Sequence, residues 1–257
     1  MRRVPDAMSD VTVELGDDHV ATVELHRPPN NFFDVALVSA IADAYEELQA
    51  GPCRAIVLCS EGRHFCAGAD LTSGTERTVG DLYGHALRLF QAELPVVAAV
   101  SGSAIGGGLG LALSADFRVA SPESRFAANF SRLGFHHGFG LTVTLPDAVG
   151  RQAAAWLLYT GRRVGGEEAH QIGLCDRLAH STDDVRAQAQ AMAVELAAAA
   201  PLSVRAIRAT MRRGLPDRVR EAIEIERSEQ DRLRRTEDFA EGVAASSQRR
   251  EPLFKGS

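Results

Sequence analysis

Two uninterrupted apolar runs of strand length, Ala55-Ile56-Val57-Leu58-Cys59 and Val96-Val97-Ala98-Ala99-Val100, each lead straight into a glycine-bearing loop. A run without polar alternation suits a strand covered on both faces, as in the middle of a parallel sheet. Parallel neighbours need a crossover between them, usually a helix. Helical patterns do flank these runs. Asp34 is placed to cap a helix from Val35 to about Gln49, with Leu37, Ile41, Ala44, Tyr45 and Leu48 on one face. A helix of about three turns reaches toward Leu94, and a short apolar one spans Leu109 to Ser114 ahead of a strand from Phe117 to Ala120. This alternation predicts an α/β domain with helices covering a sheet.

Upstream, Val11 to Leu15 and Val20 to Leu25 alternate around Gly16-Asp17-Asp18, a hairpin signature. Past Pro146 the pattern turns almost wholly helical. Asp183 to Ala199 is alanine-rich, Pro201 can open one helix, and Pro216 another running toward Arg249. That last segment mixes Glu and Arg at helical spacings, which suits a solvated helix or one resting on a neighbouring subunit.

Composition narrows the classes. A chain of 257 residues, 45% hydrophobic, can bury one large core. Its formal charge of -6 supplies no basic field, so nucleic acid is not an expected partner. No apolar run approaches the ~20 residues of a membrane span. Val4-Pro5-Asp6-Ala7 is no signal-peptide core, and a cytoplasmic location is expected. Cys53, Cys59, Cys66 and Cys175 show no CxxC spacing and no His/Cys cluster. Buried thiols in a reducing compartment, and no metal, are the expectation.

The loops after the two apolar strands are Arg63-His64-Phe65-Cys66-Ala67-Gly68-Ala69-Asp70-Leu71 and Ser101-Gly102-Ser103-Ala104-Ile105-Gly106-Gly107-Gly108-Leu109-Gly110. Strand-to-helix handovers are where α/β folds bind ligands. The second loop lacks the GxGxxG spacing of a dinucleotide fingerprint. Taken together, the loops resemble the enoyl-CoA hydratase/isomerase (crotonase) family. Phe65 to Leu71 is similar to its Phe-x-Ala-Gly-x-Asp loop, Pro95 to Gly102 to its apolar strand, and Ile105 to Gly108 to its triple-glycine turn. Ala115 to Ala120, Thr160-Gly161, Glu168-Ala169, Gly173-Leu174 and Phe254-Lys255 continue the resemblance in order.

The resemblance implies a crotonase-like spiral of ββα units over residues 1–200. A helical C-terminal trimerisation region over residues 201–257 would follow, with trimers or hexamers as the assembly. It implies an acyl-CoA thioester as substrate and no separate cofactor. The backbone N–H groups of Ala69 and Gly107 would form an oxyanion hole. Ala67, Gly68, Ala69, Asp70 and Leu71 would lie along CoA, with Arg27 near its phosphates and Phe254 and Lys255 reaching the CoA of a neighbouring subunit.

Two departures stand out. Hydratases of this family carry a glutamate three residues after the middle glycine, and a second in a Pro-Glu-x-x-x-Gly segment. The matching residues here are Gly110 and Phe130. Neither can move a proton, and positioned acid–base groups contribute about 10²–10⁴-fold in rate. The dehalogenase branch's nucleophilic Asp maps to Gly138. Candidate replacements are His136 and His137, with His137 preferred because it stands beside Gly138; His64 and His85 are lesser candidates. Phe130, Phe135 and Phe139 suggest an apolar acyl pocket. Three readings stay open: a hydratase-like lyase, a His-assisted C–C hydrolase or decarboxylase, and a catalytically silent acyl-CoA binder.

Overall fold

The computed structural model describes residues 10–69 and 79–257, so Asp70 and Leu71 lie outside the described residues. Strands β1 (Val11–Leu15) and β2 (Val20–Leu25) form the expected hairpin, paired antiparallel with Val13 opposite Val23. Strands β3 (Ala55–Ser60), β4 (Val96–Val100) and β6 (Phe117–Ala120) extend it in parallel, with β9 (Arg177–Leu178) at the far edge. Both faces of β3 and β4 are buried, as their unbroken apolar pattern requires. Ile56, Leu58, Val96 and Ala98 point into the main core with helix α1 (Val35–Gln49). The alternate residues Ala55, Val57, Val97 and Ala99 pack with Val185, Ala189 and Ala193 of helix α7 (Val185–Ala198). Each such Val, Leu or Ile contributes about 1.5–3 kcal/mol when fully buried.

Helix α1 begins where Asp34 accepts a hydrogen bond from the Leu37 amide at 2.9 Å, and it buries all five residues of its predicted face. Helix α2 (Val79–Gln91) lies against it. A second, three-stranded sheet runs beside the first, made of β5 (Ser103–Ile105), β7 (Arg125–Ala127) and β8 (Arg163–Gly165). Isolated parallel bridges from Phe33 to Ala69 and from Cys66 to Ala104 carry the same layer backward through the chain. Each turn therefore lays one strand in the large sheet, a short extended piece in the second layer, and then a helix such as α3 (Gly107–Ser114).

The C-terminal half departs from the sequence expectation in two ways. Strands β8 and β9 interrupt the helices, too short for any period to mark them. The long final helix divides into α9 (Leu215–Leu233) and α10 (Glu237–Gln248), because Thr236 caps a new start by accepting from the Phe239 amide at 3.1 Å. Helix α8 (Pro201–Met211) opens at Pro201 as predicted. Its Arg208, with Arg212 just past it, grips Asp116 at 2.9 and 2.8 Å, while Asp116 also accepts from the Val96 amide. Helix α9 packs on α2 and on α4 (Leu141–Val149), and α10 packs on a 3-10 turn, Asn129–Leu133. The last helices thus wall one side of the cleft where the two glycine loops meet. No helix among the described residues is long and apolar enough to cross a membrane.

Candidate active site

The two loops lie on each other like strands. Cys66 donates to the Ser103 carbonyl and its own carbonyl accepts from Ile105, each at 3.0 Å. Contact is so close that a Cβ on Gly108 would stand 2.1 Å from the Cys66 carbonyl oxygen. Gly68, at φ +93°, would place a Cβ 2.9 Å from the Ile105 oxygen and 3.8 Å from the Gly107 nitrogen. Asn31 holds this arrangement from outside. Fully buried at φ 47°, it donates to the carbonyls of Glu61 (2.8 Å) and His64 (2.6 Å) and accepts from the Arg27 amide.

This scaffold leaves two amides uncommitted. The Phe33–Ala69 bridge uses the Gly68 carbonyl, and the Ala69 N–H donates to none of the described residues. Gly107 is the first residue of α3, where N–H groups have no intrahelical acceptor, and its N–H also donates to none of them. Both residues line one cavity of about 510 Å³, together with Ala67 and Gly68. A Cβ on Gly107 would come within 2.3 Å of the Phe33 ring, which shares that wall.

Tight packing surrounds Gly110 and Phe130, the two positions where the resemblance leads one to expect glutamates. A Cβ on Gly110 would lie 2.5 Å from the Phe139 Cβ, so Phe139 fills the space a glutamate would need. Phe130 is buried beside the triple-glycine turn, with its ring centroid 5.4 Å from that of Phe135. Gly138 is pressed by Tyr83 Oη and Gln230 Nε2, at 2.2 and 2.6 Å from its Cβ position. The three phenylalanines expected in an acyl pocket, Phe130, Phe135 and Phe139, all line the cavity.

The histidine pair does not. Neither His136 nor His137 is among the cavity-lining residues, and neither are His64 and His85. The His137 Nε2 lies 2.8 Å from Thr142 Oγ1, whose own hydrogen goes to Glu226 Oε1 at 2.7 Å. Thr142 must therefore accept, which makes Nε2 the protonated nitrogen of His137. Burial, reinforced by the neighbouring His136, pulls the His137 pKa down to about 3. His136 donates from Nδ1 to the His137 carbonyl at 2.8 Å, and the two rings stack with centroids 4.0 Å apart. Glu226, wholly buried, accepts from the Gly140 and Thr142 amides at 2.9 Å each. Burial raises its pKa, against the pull of those hydrogen bonds. Half-buried, the pair is thus tied through Thr142 and Glu226 into the hydrogen bonds of the 138–142 bend, and neither ring is part of the cavity lining.

Arg27 does line the cavity, but it pairs with Asp10 at 2.6 Å and Asp34 at 2.9 Å. Phe254 and Lys255 do not line the cavity of their own chain; the Lys255 amide donates to Asp238 Oδ1 at 2.7 Å. Sequence reasoning overlooked Tyr83, Gln230, Arg234 and Glu226, which come from α2 and α9. Only the tertiary packing of those helices brings them here. Asn31 carried a faint signal, since Asn tolerates positive φ better than most residues.

Comparison with known proteins places this arrangement in a group. The family model for enoyl-CoA hydratase/isomerase matches residues 16–257. An enoyl-CoA isomerase/hydratase of Zymoseptoria tritici is 33% identical over 261 residues, covering 92% of this chain and 84% of that protein. A crystal structure of an enoyl-CoA hydratase/isomerase from Pseudoalteromonas atlantica superposes with a TM-score of 0.87 at 30% identity, covering 96% of this chain and all (100%) of that one. An enoyl-CoA hydratase structure from Mycobacterium avium subsp. paratuberculosis gives 0.84 at 26% identity, covering 96% and 99%. With the fold of these structures and a family match across nearly its full length, the chain belongs to the enoyl-CoA hydratase/isomerase family.

Proposed function

We propose that the protein binds an acyl-CoA thioester and polarises its carbonyl between the Ala69 and Gly107 amides. The observation that carries this reading is the pair of amides on one cavity wall that have no acceptor among the described residues. When a thioester forms an enolate, charge gathers on the carbonyl oxygen. Fixed N–H donors stabilise that charge without reorganising, and losing one such donor costs on the order of 10²–10³ in rate. The apolar wall of Phe130, Phe135 and Phe139 would hold the acyl chain. Exposed apolar side chains on α8 and on α5 (Arg151–Thr160), among them Trp156, Tyr159, Leu202 and Met211, support subunit packing into the expected trimer.

Hydration in the family's usual manner lacks its two carboxylates here, and no histidine faces the described cavity. A polarising site with weak or no hydratase turnover fits these observations best, and they equally support a silent acyl-CoA binder. Titration calorimetry with butyryl-CoA, paired with ultraviolet assay of crotonyl-CoA hydration, separates the outcomes. Saturable binding with hydration at least about 10²-fold below that of a relative bearing both glutamates is expected. Efficient hydration would show that proton transfer is supplied by a group this reading omits. Failure to bind any acyl-CoA would end the reading.

A further inference from the structure

Three charged side chains line the described part of the cavity: Arg27, Asp34 and Arg234. The first two neutralise each other at 2.9 Å. Arg234 stands alone. Its buried Nε has no hydrogen-bond partner, and its guanidinium forms no ion pair among the described residues. It stands instead over the Phe135 ring, 5.8 Å from the centroid. As the residue that ends α9, it benefits from the helix dipole, which favours a cation there but takes up none of its side-chain donors.

Its polar neighbours in the wall are already committed. Tyr83 donates to Gln230 Oε1 at 2.7 Å, and Gln230 donates from Nε2 to the His136 carbonyl at 3.0 Å. Burial keeps the Tyr83 phenol neutral by pushing its pKa up. A guanidinium offers a planar fork matched to a carboxylate. A half-buried one left unpaired beside an otherwise apolar wall is costly unless something pairs with it.

The position of the cation is informative. Phe130 adjoins the triple-glycine turn, Phe135 adjoins Phe130 at 5.4 Å, and Arg234 covers Phe135. Two rings therefore separate the amide pair from the guanidinium. We infer that Arg234 selects acyl-CoA thioesters whose acyl chain ends in a carboxylate, held beyond the thioester by a few methylenes. The inference rests on the acyl-CoA reading and adds the substrate's charge to it.

Two probes of equal chain length, hexanoyl-CoA and adipyl-CoA, differ only in the terminal carboxylate. Calorimetry on the full chain is expected to show adipyl-CoA binding about tenfold or more tighter, the scale of one charge-assisted hydrogen bond. Arg234→Gln should erase that preference, lowering adipyl-CoA affinity about tenfold more than hexanoyl-CoA affinity, and Arg234→Lys should restore part of it. Equal affinities in the unaltered protein, or an Arg234→Gln variant that weakens both esters alike, would overturn the carboxylate assignment and leave acyl-CoA binding standing. Binding of neither ester would remove both.

Discussion

One wall of the cavity is made of main chain and the other of rings. On the first, Ala69 and Gly107 present amides from loops locked together by Cys66, Ile105 and the close approach of Gly108. On the second, the Phe130 ring packs on Phe135, and Phe139 fills the space beside Gly110. Backbone donors need only glycines in the right turns, whereas proton transfer needs side chains, and on this second wall the side chains are packed rings. Of the described residues that line the cavity, Asp34 is the one carboxylate, and it is paired with Arg27 at 2.9 Å.

The largest test of that contrast strikes the main-chain wall. Gly108→Ala drives a methyl into the Cys66 carbonyl, 2.1 Å away. A cost of about 3 kcal/mol, the upper end for overpacking, and loss of butyryl-CoA binding are expected in thermal melts and calorimetry. A variant that melts and binds like the parent would break the picture of interlocked loops.

Behind the ring wall, Glu226→Leu strands the Gly140 amide, the Thr142 amide and the Thr142 hydroxyl. Denaturant unfolding should register a loss of about 2–3 kcal/mol, with Glu226→Gln milder because its amide oxygen still accepts. If both variants unfold at the parent's midpoint, the network does not shape the 138–142 bend.

Gly110→Glu asks whether a carboxylate can simply be put back. With Phe139 Cβ 2.5 Å from the new Cβ, destabilisation of about 1–3 kcal/mol is expected. The penalty should be less than additive when combined with Phe139→Gly, which removes that Cβ at a residue with φ 62°. Strict additivity would mean that Phe139 is not what excludes the side chain.

The smallest effect on the chemistry is expected at His137. His137→Gln should change acyl-CoA binding and any turnover by less than about threefold, far below the 10²–10⁴ of an acid–base group. Its signature lies in pH dependence. In the unfolded chain His137 takes a proton near pH 6.5, whereas in the fold it holds off until about pH 3. Across that window the unfolded state binds more protons, so stability falls as pH falls. The variant should lose that part of the slope, and an unchanged slope would contradict the buried, neutral histidine.

How much of this was legible follows the length scale of each interaction. The Asp34 cap, the hairpin around Gly16 and the doubly buried runs of β3 and β4 are local patterns, and the fold reproduces them. The glycine loops could be read because a close approach of backbones leaves a mark in residue type. The hydrogen-bond partners of the histidines could not be read: His137 Nε2 meets Thr142, which in turn meets Glu226, 84 residues further along. Arg234 and Tyr83 were hidden for the same reason, since α2 and α9 meet only in the folded chain. The break at Thr236 shows that a capping residue can outweigh helical spacing on both sides.

Convergence of the Ala69 and Gly107 amides on a single carbonyl is tested most directly by vibrational difference spectroscopy of bound butyryl-CoA carrying ¹³C at the thioester carbon. Two fixed donors should draw the labelled C=O stretch clearly below its frequency in water. A bound ester whose carbonyl stretch matches that of free butyryl-CoA would contradict the oxyanion hole.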